Sequence, residues 1–187
     1  MSEVTAVPLR PIAKGSLLKL WIGVAAILIA GILLAICTTH SQVVMAMSPD
    51  EFLASNAKNS DVSQTTSGLQ YKVLEAGTGP KATASDMVLV SYTGKLLNGK
   101  VFDSTVVNGT DEPKPFLLSR TVAGWSEALQ LMNEGSKYRL WLPPALAYGE
   151  TGDGSGTIPP NAVLTFDVEL RGIAPAQMGM MPPSHGM

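Results

Sequence analysis

The sequence predicts an α+β domain carried behind a single membrane helix, and three observations predict it. Apolar side chains alternate at Val88, Val90 and Tyr92 and again at Leu164, Phe166, Val168 and Leu170, the period of half-buried antiparallel strands. Between these stretches, Trp125, Leu129 and Met132 fall at helical spacing within residues 121–132, with Thr121 available as an N-cap. Ahead of both, no charged residue interrupts residues 20–37, a run that nearly crosses a hydrocarbon core of about 30 Å.

Taken in order, residues 1–19 read as a short cytoplasmic segment and residues 20–40 as a transmembrane signal-anchor helix. Arg10, Lys14 and Lys19 precede the apolar run, and Asp50 and Glu51 follow it. That asymmetry keeps the N-terminus in the cytoplasm and exports the rest. Two other fates compete: cleavage after the small-residue pattern Val44-Met45-Ala46, and lipidation of Cys37 in Leu34-Ala35-Ile36-Cys37. The long cationic lead and the length of the run favour a retained anchor.

Residues 41–67 read as a short helix and a flexible linker. Ser48-Pro49-Asp50-Glu51 combines a capping serine, proline at the first helical position and acids in the first turn. Residues 59–68 carry almost no apolar side chain and are expected to form an unstructured tether. Residues 68–173 form the main domain. Residues 174–187 are rich in Met and Pro, lack apolar periodicity, and read as a disordered tail; Met178, Met180, Met181 and His185 suggest soft copper(I) ligation as an alternative role.

Composition narrows the function. With 187 residues and 45% hydrophobic content the chain fills one ordinary domain plus an appendage. A net charge of −2 shows no basic excess for nucleic acid. The single Cys37 excludes an intramolecular disulfide, and the only histidines, His40 and His185, lie outside the main domain. No nucleophile or acid/base pair is evident there, which suits chemistry that breaks no bond.

Four pieces in order carry a resemblance: Tyr92-Thr93-Gly94; Val101-Phe102-Asp103-Ser104; Gly124-Trp125-Ser126-Glu127-Ala128-Leu129; and Ala147-Tyr148-Gly149 followed by Ile158-Pro159-Pro160 and Phe166-Asp167-Val168-Glu169-Leu170. They resemble the FKBP-type peptidyl-prolyl cis/trans isomerases. Phe52-Leu53-Ala54 before Ser67-Gly68-Leu69-Gln70-Tyr71 is similar to the macrophage infectivity potentiator branch, without its long helical dimerisation region.

The resemblance implies a curved antiparallel sheet of five to six strands wrapped around one short helix. It implies a pocket lined by Tyr92, Phe102, Trp125 and Phe166, with the indole as its floor and Asp103 hydrogen-bonded within its wall. Tyr148 matches a hydroxyl donor. Ile158 matches a flap residue over the proline, and Thr121 and Val122 join it in substrate binding. The implied activity is isomerisation of X-Pro bonds in unfolded or partly folded polypeptides; the apolar run and its flanking charges place it at a bacterial inner membrane with the domain in the periplasm. Macrolide inhibitors are an implied ligand class, and no cofactor is. A tethered chaperone that holds peptides in the same pocket is the alternative. Two departures stand out: the cationic partner common after the Phe-Asp-Ser motif is not evident, residues 105–114 reading instead as a polar loop, and Arg120 stands where the family can carry an acid.

Overall fold

The computed structural model describes residues 21, 22, 24–29, 31 and 47–174. The chain divides into two units, Met1–Val43 and Val44–Met187. In the first, the described residues are helical, and Trp21, Ile22, Ile27 and Leu28 are exposed. No described helix is long and apolar enough to cross a membrane. Most of residues 20–40, Cys37, the candidate cleavage site and the tail beyond residue 174 lie outside the described residues.

In the second unit, helix α1 (Pro49–Asn56) starts where the sequence places it. The Ser48 hydroxyl accepts from Glu51 N, and the Glu51 carboxylate accepts from Ser48 N, a reciprocal capping box. The segment expected to be an unstructured tether is instead laid onto the domain. Strand β1 (Ser63–Gln64) pairs antiparallel with β2 (Gln70–Glu75). The almost fully buried Gln70 side chain donates to Leu53 O and accepts from Asn56 Nδ2, and Ser67 Oγ donates to Glu127 Oε2 at 2.6 Å. Order here comes from polar bonds to distant partners, which a local count of apolar residues does not register.

Seven strands form the main antiparallel sheet, one more than the upper expectation, because the two-residue β1 adds an edge. The order is β1, β2, β8 (Lys137–Leu142), β9 (Leu164–Ala174), β3 (Met87–Leu96), β4 (Val101–Ser104), with β7 (Lys114–Leu117) also on β3. Strand β3 pairs β9 along its whole length on one edge. On its other edge it pairs β7 through Met87–Val90 and β4 through Thr93–Lys95. Between those partners the chain leaves the sheet as a hairpin, β5 (Val106–Val107) and β6 (Thr110–Asp111). Its turn residues Asn108 and Gly109 both have positive φ, 51° and 82°, as a type I′ turn requires.

Helix α2 (Ala123–Leu131) begins later than the expected Thr121, and Val122, not Thr121, is its N-cap. The Thr121 hydroxyl donates backward to Leu118 O at 2.9 Å and closes the preceding 3-10 turn, Leu118–Arg120. Trp125, Ala128 and Leu129 of α2, with Met132 just beyond it, pack against Val90, Leu140, Leu164, Val168 and Leu170 of the sheet in one core. Gly124 permits this approach, since a Cβ there would lie 2.7 Å from Leu142 Cγ.

Candidate functional site

At the end of β3 and β9 nearest α2, the core opens into a cavity of about 220 Å³. Trp125 is the centre of its aromatic lining. The indole is only 5% exposed, and three rings meet it edge-on: Tyr92 at 4.9 Å between centroids, Phe116 at 5.3 Å and Phe166 at 5.3 Å. Phe102 extends the array, perpendicular to Phe166 at 5.5 Å. Such edge-to-face pairs fix ring orientation as well as burying area. Gly94, opposite Phe166 in the β3–β9 register and opposite Asp103 in the β3–β4 register, makes room for two of these rings. A Cβ there would meet Phe102 Cζ at 2.7 Å and Phe166 Cε1 at 2.8 Å.

The polar elements sit on the wall. The Tyr92 hydroxyl donates to Asp103 Oδ2 at 2.5 Å, and its pKa is pushed up, first by burial and then by this carboxylate. The phenol therefore stays protonated and acts as a donor. Asp103 Oδ1 lies 3.6 Å from Lys114 Nζ, which also stands 5.8 Å from the Tyr92 ring centroid. The cationic wall partner missing from the residues directly after Phe-Asp-Ser is thus supplied by β7, beyond the β5–β6 hairpin.

Of the residues expected at the site, Tyr92, Phe102, Asp103, Thr121, Val122, Trp125, Tyr148 and Phe166 all line the cavity. Tyr148 is set by the 3-10 turn Pro144–Leu146, whose Pro144 carbonyl accepts from Gly149 N, and it remains 41% exposed. Ile158 is not brought there. It is 5% exposed and belongs to the core cluster, as Trp125 and Phe166 do, and its carbonyl accepts from Asp153 N. Two lining residues, Phe116 and Arg120, go beyond the expected set. Phe116 left no clear strand signal, since Lys114 and Pro115 ahead of it are residues depleted in strands.

Val122 supplies the remaining feature. It cannot cap with its side chain, and its carbonyl accepts from Trp125 N and Ser126 N. Its own N–H has no partner among the described residues, leaving a first-turn donor beside the cavity. No group of three or more His, Cys, Asp or Glu side chains that could hold a metal occurs among the described residues.

Residues 79–171 match the sequence profile of the FKBP-type peptidyl-prolyl cis-trans isomerase, and residues 41–73 match that of the domain amino-terminal to it. An FKBP-type peptidyl-prolyl cis-trans isomerase FkpA of Aeromonas hydrophila is 53% identical over 124 residues, covering 66% of this chain and 45% of the relative. The outer membrane protein MIP of Legionella longbeachae is 46% identical over 121 residues, covering 65% and 51%. The chain therefore spans about half the length of these curated relatives. The crystal structure of a peptidyl-prolyl cis-trans isomerase from Pseudomonas syringae pv. tomato superposes with a TM-score of 0.62 at 36% identity, covering 67% of this chain and 90% of that one. With that fold, that aromatic cavity and these matches, the chain belongs to the FKBP-type peptidyl-prolyl cis-trans isomerase family.

Proposed function

We propose that the protein catalyses cis/trans isomerisation of X-Pro peptide bonds in polypeptides folding outside the cytoplasm. The observation that carries this reading is the aromatic cavity with unpaired backbone N–H at its rim. The barrier to rotating a prolyl bond is about 18–20 kcal/mol because the twist breaks amide resonance. The planar amide is the more dipolar state, so water holds it better than the twisted one. A cavity that strips water from the carbonyl removes that preference and lowers the barrier, because the twisted amide is bound better than either planar isomer.

In this reading Trp125 forms the floor under the pyrrolidine ring, with Phe102 and Phe166 as walls and Val122 as an aliphatic side. The Val122 N–H and the Tyr148 hydroxyl donate to carbonyls of the substrate backbone. Tyr92 and Lys114 hold Asp103 in the wall. No proton needs to move, consistent with the protonated Tyr92. The same cavity would admit a macrolide inhibitor. Residues 20–40 would anchor the domain in the inner membrane with residues 68–173 in the periplasm, and protease added to spheroplasts should then degrade the domain.

The kinetic test is acceleration of cis-to-trans conversion in a short neutral Ala-Pro peptide by the wild-type protein, Phe102→Ala and Tyr148→Phe. A fast wild type, a strong loss in Phe102→Ala and a smaller one in Tyr148→Phe are expected. A folded Phe102→Ala protein with full rate would overturn the assignment of the pocket.

A further inference from the structure

The aromatic walls explain why a proline ring enters the cavity but say nothing of what flanks it. Two charged side chains line the cavity, Asp103 and Arg120. The Asp103 carboxylate is fully engaged, by the Tyr92 hydroxyl, by Ser104 N and by Lys114 Nζ. Arg120 is exposed and has no ion pair or hydrogen bond among the described residues. Every other described arginine is paired: Arg139 with Asp167, and Arg171 with Asp111 and Glu169.

The backbone beneath Arg120 is held on both sides. Leu118, fully buried, anchors the 3-10 turn, and its carbonyl accepts from both Thr121 N and Thr121 Oγ1. Two residues on, Val122 presents its unpaired N–H as the cap of α2. A substrate whose carbonyl reaches that N–H brings its neighbouring side chains past an unneutralised guanidinium carried on a held backbone. Its five donors suit a carboxylate bidentately.

We propose that Arg120 is a specificity-determining residue that selects X-Pro segments carrying a carboxylate, Asp or Glu, adjacent to the proline. This rests on the isomerase reading above and names the substrate class for that site. Because the guanidinium is solvent-exposed, the preference should be about two- to five-fold, and it should shrink as salt screens the pair.

The test compares peptides with Glu, Ala or Lys on the N-terminal side of proline, and a matching set on its C-terminal side, using the full-length protein, Arg120→Ala and Arg120→Glu. In one of the two sets the wild type should show a higher kcat/KM for the Glu peptide than for the Lys peptide. Arg120→Ala should level that ratio, Arg120→Glu should invert it, and 0.5 M NaCl should reduce it. Equal wild-type rates for Glu and Lys in both sets, with the Ala peptide still isomerised, would overturn this inference and leave the isomerase reading standing. If no peptide is isomerised, the isomerase reading fails. Calorimetric affinities of the same Glu and Lys peptides then decide the charge preference, equal values overturning it.

Discussion

The two faces of strands β3 and β9 are built from alternate residues of the same chain and held by opposite physics. On the inner face Tyr92 and Phe166 join Trp125, Phe116 and Phe102 in edge-to-face contact, with Tyr92, Trp125 and Phe166 buried and Phe102 and Phe116 partly so. On the outer face the intervening residues Asp167 and Glu169 pair with Arg139, Lys95, Lys137 and Arg171 at distances from 2.6 to 3.9 Å. These partners are partly solvated. Burial and shape therefore define the pocket, whereas the outer ion pairs, individually worth about 0–1 kcal/mol, add little stability.

The sharpest way to break that contrast is to remove the floor. Trp125→Ala should lower the free energy of unfolding by about 3–5 kcal/mol, read by urea denaturation, and abolish detectable peptide isomerisation in whatever fraction stays folded. Gly94→Ala probes shape alone. The added methyl must displace the Phe102 and Phe166 rings, at a cost of about 1–3 kcal/mol, and the rate should fall by more than stability accounts for.

Thr105 links the two faces. It is fully buried in the gap between β4 and β7. Its N–H donates to Tyr92 O, its hydroxyl accepts from Tyr92 N, and that hydroxyl lies 2.8 Å from Asp111 Oδ1. One side chain thus stands in for a missing strand beside the pocket wall. Thr105→Val, nearly isosteric, should cost about 1–3 kcal/mol by orphaning the Tyr92 N–H, and Thr105→Ser should recover most of it.

The smallest effects belong to the outer face. Arg139→Ala should change stability by less than about 1 kcal/mol and leave kcat/KM unchanged. Asp111 gives the face its pH signature. The Ser91 hydroxyl, then the Thr105 hydroxyl, then Arg171 hold its carboxyl below the usual range. A depressed folded-state pKa adds stability that is present above the unfolded value of about 3.9 and is lost as pH falls through the folded one. Asp111→Asn should therefore flatten the dependence of the urea midpoint on pH below about 4.

The contrast also explains what the sequence disclosed. Period-two runs such as Val88-Val90-Tyr92 reveal long strands, and aromatic residues at matched spacing reveal most of the pocket, because burial leaves its mark on residue type. Features held by polar bonds across long separations leave no such mark. Strand β1 and the docked segment before it depend on Gln70 and Ser67 reaching distant partners, so a polar stretch read as a tether. Lys114 meets Asp103 only because the β5–β6 hairpin folds back. That hairpin did carry a local signal, Asn108-Gly109 between Val107 and Thr110, of the kind that favours a type I′ turn. Ile158 is a different case: it is 5% exposed, as are Trp125 and Phe166, so burial does not separate a flap residue from a core anchor.

The most direct test of the pocket is to titrate a neutral Ala-Pro peptide into isotopically labelled protein and follow amide and indole resonances. The Val122 amide and the Trp125 indole N–H should shift most, the latter because its Nε1 is buried without a partner in the free protein. Shifts confined to the outer face, around Arg139, Asp167 and Arg171, with Val122 and Trp125 unmoved, would contradict it.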